Sequence, residues 1–193
     1  VIAFLGANIL REFGAEIYVV ELVNVAFLRE FGVLLTAIIL AGRTASAFTA
    51  QIGSMKSREE LDAIQALGLD AIELLVIPRL LALLVMLPLL TFIAMMMGIV
   101  GGGIVGTLAL DITPGMFISR VQEMTGVEHF WVGMVKAPVF AFLIATVGCL
   151  EGFKVEGSAE SVGRHTTASG VQSIFLVIGF DSLFAMFFME MDI

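Results

Sequence analysis

The sequence predicts an all-α fold: a polytopic bundle of transmembrane helices, with four complete spans and the tail of a fifth. Three observations carry this. Of 193 residues, 59% are hydrophobic and 15% charged, against about half and about a quarter in soluble domains. Mean hydropathy is +1.04. Four stretches reach the roughly 20 apolar residues that a membrane-crossing helix needs. None alternates with period two, which argues against an outer-membrane barrel. Backbone groups in lipid must then be satisfied within helices.

The same numbers exclude several function classes. A water-soluble enzyme could not hide this much apolar side chain, and disordered chains are poor in these residues. The formal net charge of -8 would be repelled by a phosphate backbone, which excludes nucleic-acid binding. Cys149 is the single cysteine, so there is neither an internal disulfide nor a cysteine-based zinc site.

In chain order, Val1–Gly6 is apolar but short, with no initiator methionine and no basic n-region. It reads as the end of a membrane helix rather than a signal peptide. The first complete span is expected over Leu28–Ile52, with Arg43 as its interior charge. The second covers Leu74–Val100, with Arg79 near its start and Pro78 and Pro88 inside. The third covers Phe130–Leu150, with Lys136 and Pro138 near its start. The fourth covers Val171–Met189 and carries Asp181.

Orientation follows the loop cations. Arg43, Lys56, Arg58, Arg79, Lys154 and Arg164 fall on one side, and Arg11, Arg29, Arg120 and Lys136 on the other. The excess places the 51–79 and 151–170 connections in the cytoplasm.

Between the first two spans lies a segment with signed ends. Ser57 and Glu60 have capping-box spacing, and Glu59, Glu60 and Asp62 suit the positive end of a helix dipole. Gly68 suits the left-handed position after a helix. Leu61, Ile64 and Leu67 repeat every three residues as one stripe. The segment predicts an acidic amphipathic helix over Ser57–Gly68, ~15 Å long. It could rest on the membrane surface. Interfacial helices are usually basic on the polar face, however, and an acidic face is disfavoured beside anionic lipid, so a protein partner fits better.

Other constellations are weaker. Arg43 and Asp181 are the two deep intramembrane charges, each a functional candidate by default; together they could simply form a structural ion pair. Leu10–Gly14 and Leu28–Gly32 share the five residues Leu-Arg-Glu-Phe-Gly. Leu28, Arg29 and Glu30 are candidates for contact with a lipid headgroup, since Arg matches phosphate geometry; ordinary interfacial anchoring is the alternative. Gly101, Gly103 and Gly106 formally match a dinucleotide fingerprint, but without the strand that motif requires. Close packing through Gly102 and Gly106, or a turn, are the better readings. His129 and His165 fall on opposite sides and cannot share a metal. No P-loop occurs, and no cofactor is expected.

The chain resembles the MlaE-type permease family. The resemblance is carried by Leu28-Arg29-Glu30-Phe31-Gly32, Leu35-Thr36-Ala37, Ala41-Gly42-Arg43, Gly53-Ser54-Met55-Lys56, Glu60-Leu61-Asp62-Ala63, Leu67-Gly68 and Val76-Ile77-Pro78-Arg79. It is dense over residues 28–82. Gly148, Glu151-Gly152 and the 157–170 connection extend it more loosely. Val33 and Ala71 stand where the family often has proline, a change expected to loosen two helix starts.

The resemblance implies the membrane subunit of an ABC transporter moving phospholipid between bacterial membranes, in the inner membrane, non-catalytic itself. It implies an N-terminal elbow helix and five membrane helices, of which the elbow and most of the first would precede this sequence. It implies a homodimer, a cytoplasmic ABC ATPase dimer, a STAS-domain protein and a hexameric periplasmic MCE-domain ring. The Ser57–Gly68 helix would be the coupling helix, with Glu60, Leu61, Asp62, Ile64, Leu67 and Gly68 at the ATPase. The competing classes are an ion-coupled secondary transporter, for which Arg43 and Asp181 would be the site, and a membrane scaffold without an ATPase.

Overall fold

A computed structural model describes residues 18–109, 112–124 and 126–191. The segments Val1–Gly6 and Leu10–Gly14 lie outside the described residues. Among the described residues, four helices are long and apolar enough to cross a membrane: α1 (Val20–Ser57), α3 (Ile72–Leu108), α5 (Val127–Phe153) and α6 (Ala159–Glu190). Two shorter ones join them, α2 (Glu60–Ala66) between α1 and α3, and α4 (Pro114–Met124) between α3 and α5. No strand occurs among the described residues.

Each span is longer than its apolar run. α1 and α3 extend past the bilayer-length cores at Leu28–Ile52 and Leu74–Val100. The largest difference is at α6. The 151–170 connection shrinks to a turn, because Ser158 caps a helix that starts at Ala159 and accepts a hydrogen bond from the Ser161 amide. This cap opens a polar first turn, which hydropathy alone reads as loop. α4 has no counterpart among the apolar runs.

α5 is the hub. In its most apolar window 61% of residues are buried, against 11% in α6. α1 runs parallel to α5 at close range, and glycine makes the approach possible. A Cβ on Gly133 would overlap the Leu28 carbonyl oxygen, and one on Gly148 would stand 2.9 Å from the Ala45 Cα and carbonyl oxygen. Lower down, Gly152 meets Ile52 and Gly53 meets Val155. Thr49 Oγ1 donates to the Gly148 carbonyl at 2.8 Å across the same seam. Val33, Ala37, Ala41 and Ala45 pack there with Phe140, Ala141, Ile144 and Ala145.

α3 and α6 pack antiparallel to α1. A Cβ on Gly98 would strike the Phe27 ring, and one on Gly102 would strike Val23. The glycine cluster is therefore a helix-packing face, not a turn. Its members differ: Gly106 has no neighbour closer than 3.9 Å to an added Cβ, so the tight pair is Gly98 and Gly102.

Among the described residues three wide π-turns interrupt the helices, at Phe27–Phe31, Ala41–Ala45 and Ile72–Val76. Such turns are rare and recur at functional positions. The third precedes Pro78, which cannot donate a backbone hydrogen bond. Arg79 Nη1 donates to the Leu75 carbonyl just before it at 2.6 Å.

The two missing prolines do not loosen helix starts. Val33 sits inside continuous α1, fully buried. At the other position Asp70 accepts a hydrogen bond from the Ile72 amide at 2.8 Å and so caps the start of α3.

Candidate functional site

The segment between α1 and α3 is a helix, but a shorter one than Ser57–Gly68, and its ends are built differently. The capping box does not form. Ser57 Oγ donates instead to the Gly53 carbonyl at 2.9 Å, finishing α1. The N-cap position is Glu59, in left-handed backbone at φ 61°, with no side-chain cap. The C-terminus does match its sequence signal. Gly68 has φ +76°, its amide donates to the Gln65 carbonyl at 2.9 Å, and the Leu69 amide donates to Ile64 at 3.2 Å. This paired closure is the Schellman motif.

The apolar stripe of α2 splits by task. Leu61 is 5% exposed, packed with Ile52, Ala71, Leu75 and Cys149; Ile64 lies partly buried beside them. Leu67 is 76% exposed, and Asp62, Glu60 and Gly68 are exposed with it. So α2 is anchored at one end and presents Leu67 and the acids outward. Exposed Leu69 and Ile72 extend that apolar surface.

The intramembrane charges form a different set from the expected one. Asp181 does not pair with Arg43. Its partner is Lys136, whose Nζ donates to Asp181 Oδ1 at 3.1 Å and also to Glu30. Lys136 is fully buried. Glu30 carries Arg29 on its other side, at 3.8 Å. By sequence alone Lys136 falls on the loop side of the third span, because it lies near that span's start. Its neighbours Val132, Gly133, Ala137 and Phe140, all buried on one helical face, are the signal that it points inward. Glu30 is likewise drawn into the bundle rather than left at the surface. Leu28 is buried, its backbone against Gly133, so it packs α1 on α5 and is not open to a ligand.

Arg43 is exposed, in the π-turn of α1. No carboxylate among the described residues lies within ion-pair distance of it. Near the α2 end, Glu151 is almost fully buried and accepts from Lys154 Nζ and His165 Nδ1, each at 2.7 Å. This pins the start of α6 to the end of α5. Among the described residues no group of His, Cys, Asp and Glu could hold a metal ion.

With this geometry in place, comparison with known proteins is informative. A family model described as Permease MlaE matches residues 1–187. A probable ABC transporter permease protein of Synechocystis is 36% identical over 173 residues, covering 88% of this chain and 66% of that protein. A probable ABC transporter permease protein of Rickettsia bellii is 32% identical over 166 residues, 86% of this chain and 64% of that protein. The intermembrane phospholipid transport system permease protein MlaE of Haemophilus influenzae is 31% identical over 182 residues, 94% of this chain and 70% of that protein. The chain thus spans about two thirds of the length of the curated relatives it matches.

Proposed function

The chain belongs to the MlaE permease family, and from that membership we propose that it is the membrane subunit of an ABC transporter moving phospholipid between the bacterial inner and outer membranes. In this reading it sits in the inner membrane as a homodimer and performs no chemistry itself. A cytoplasmic ATPase dimer, with its STAS-domain protein, binds the α2 side. A hexameric MCE-domain ring continues the lipid path on the periplasmic side. Arg29, at the end of α1 away from α2, is the candidate for lipid or ring contact, and Glu30, turned inward to Lys136, holds it from behind at 3.8 Å.

The observation that supports the reading best is the construction of α2. It is fixed to the bundle through Leu61, held in shape by the Gly68 closure, and open at Leu67 and Asp62. A load applied to the open side passes through Leu61 to Ile52 on α1, Leu75 on α3 and Cys149 on α5. Nucleotide-driven closure of the ATPase would push on α2 and tilt these spans together, opening or closing a lipid path at the dimer centre.

The test is a pull-down of the full-length protein with a tagged ATPase in mild detergent. The parent should co-purify, and an Asp62→Lys, Leu67→Glu variant should not, while reaching the membrane in equal amount. Failure of the parent to associate would remove the ABC reading. Association of both would move the contact away from α2. In the assembled complex, Asp62→Lys should abolish lipid-stimulated ATP hydrolysis.

A further inference from the structure

Arg43 poses a physical problem that the proposed function does not solve. On α1 it lies eight residues from Gln51, ~12 Å above the level where the charged α2 end begins, and ~20 Å below Glu30, at 1.5 Å per residue. That depth is within the apolar core. A guanidinium facing hydrocarbon is costly, and such residues face protein or a wet cavity and find a counter-charge. Arg43 is nevertheless exposed. The acids at membrane depth, Glu30 and Asp181, are both taken by Lys136.

The surroundings of Arg43 are ordered along one face. Leu35, Ile39, Arg43, Ala47 and Gln51 recur every fourth residue, and all five are exposed. In a regular α-helix such a file drifts about 40° per step. The wider π-turn at Ala41–Ala45 takes back part of that drift, so Arg43 is kept in line with Leu35 and Ile39. At the α2 end of the same file Arg79 donates to Gln51 Oε1 at 3.2 Å, and Gln51, Ser54, Arg58, Glu60 and Arg79 line an open groove of about 440 Å³.

The face is therefore amphipathic along its length: polar at the α2 end, where Gln51, Arg58 and Arg79 stand, cationic again at Arg43 with only the small Ala47 between, and apolar above it. That is the complement of a phospholipid lying along α1, phosphate at Arg43 and acyl chains over Ile39 and Leu35. We propose that Arg43 is a phosphate-binding station within the membrane, which holds the headgroup of a phospholipid partway between the leaflets. This rests on the phospholipid-transport reading and assigns a residue to the step that reading leaves blank. Arg suits the role because its planar fork binds two phosphate oxygens and it stays charged at this depth.

The test places a benzophenone amino acid at Ala47 of the full-length protein, one turn from Arg43. The protein, with its ATPase, is reconstituted into phosphatidylethanolamine–phosphatidylglycerol nanodiscs carrying a ³²P-labelled phospholipid tracer. The parent should be labelled on irradiation. Arg43→Gln should lose about tenfold of that label, the factor matching one lost charge-assisted hydrogen bond, while Arg43→Lys keeps most of it. The same photoprobe at Leu89, exposed on α3, reports surrounding lipid and should label equally in all three. Excess inorganic phosphate should leave the Ala47 label unchanged; its loss would make the site one for free phosphate and overturn the lipid assignment. Equal Ala47 labelling in Arg43→Gln would overturn the proposal, as would a cross-linked second copy of the chain in place of lipid. Co-purification of the ATPase is scored in the same samples. If it is retained while labelling ignores Arg43, only this inference fails. If it is lost in the parent, the transporter reading fails.

Discussion

Lys136 Nζ stands 3.1 Å from Asp181 Oδ1, joining α5 to α6, and the same ammonium reaches Glu30 on α1. One cation thus ties three spans at the end of the bundle away from α2. Buried pairs of this kind are poor sources of net stability, but removing one member strands the others. Lys136→Met leaves two carboxylates facing each other and is expected to destabilise the protein by about 3–5 kcal/mol. The triple neutral variant Glu30→Gln, Lys136→Met, Asp181→Asn should regain most of that loss. Thermal unfolding in detergent, read by loss of the monodisperse peak, checks both. A triple variant as unstable as Lys136→Met would mean the triad contributes shape rather than charge balance.

The split stripe of α2 separates stability from partner contact. Leu61→Ala removes a buried side chain between three spans and should cost about 2–5 kcal/mol. Leu67→Glu alters an exposed position and should change stability by no more than about 0.5 kcal/mol, yet abolish ATPase association. Unfolding temperature and co-purification, measured on the same two preparations, should give opposite rankings.

The fold was legible because it is written in long apolar runs. Four such runs gave four spans, and Gly68 gave the end of α2. What the sequence concealed depends on the third dimension. Hydropathy marks where apolar residues are, so Ser158–Gly170, a polar stretch that forms two turns of α6 and more, read as loop. Likewise, a capping box is a local pattern, and it loses to a longer α1 when Ser57 finds the Gly53 carbonyl. Which acid meets Lys136 could not be read from spacing, because Glu30 and Asp181 lie 106 and 45 residues away. Arg43 is legible in the sequence as a deep charge. Its exposure was hidden, since a charge inside an apolar run looks the same whether it points into a bundle or out of it.

Glycines of the membrane helices are expected to be unequal. An added Cβ on Gly148 meets backbone atoms of Ala45 at 2.9 Å, which cannot rotate away. Gly148→Ala should therefore push α1 from α5 and cost about 1–3 kcal/mol, as overpacking does. Gly101→Ala, in the same kind of helix but with nothing within 4 Å, should be neutral or slightly stabilising, since alanine is the better helix former. Equal unfolding temperatures for the two variants would contradict the close approach of α1 and α5.

The closure of α2 should behave as a local hinge rather than a global one. α2 has seven residues, too few to be stable as an isolated helix, so it depends on its anchor and its ends. Gly68 holds φ +76° with no side chain nearby. An alanine there meets no steric neighbour, and its cost is confined to left-handed backbone, about 1 kcal/mol. Because α2 touches the core mainly through Leu61, that cost should fall on opening of the helix end alone. Gly68→Ala is expected to raise hydrogen exchange at the Gly68 and Leu69 amides, which close the helix on Gln65 and Ile64, by about fivefold. Exchange in α5 and the unfolding temperature should not move. A matching rise throughout α5 would show instead that the α2 end and the bundle open as one unit, and that Leu61 transmits disorder as readily as load.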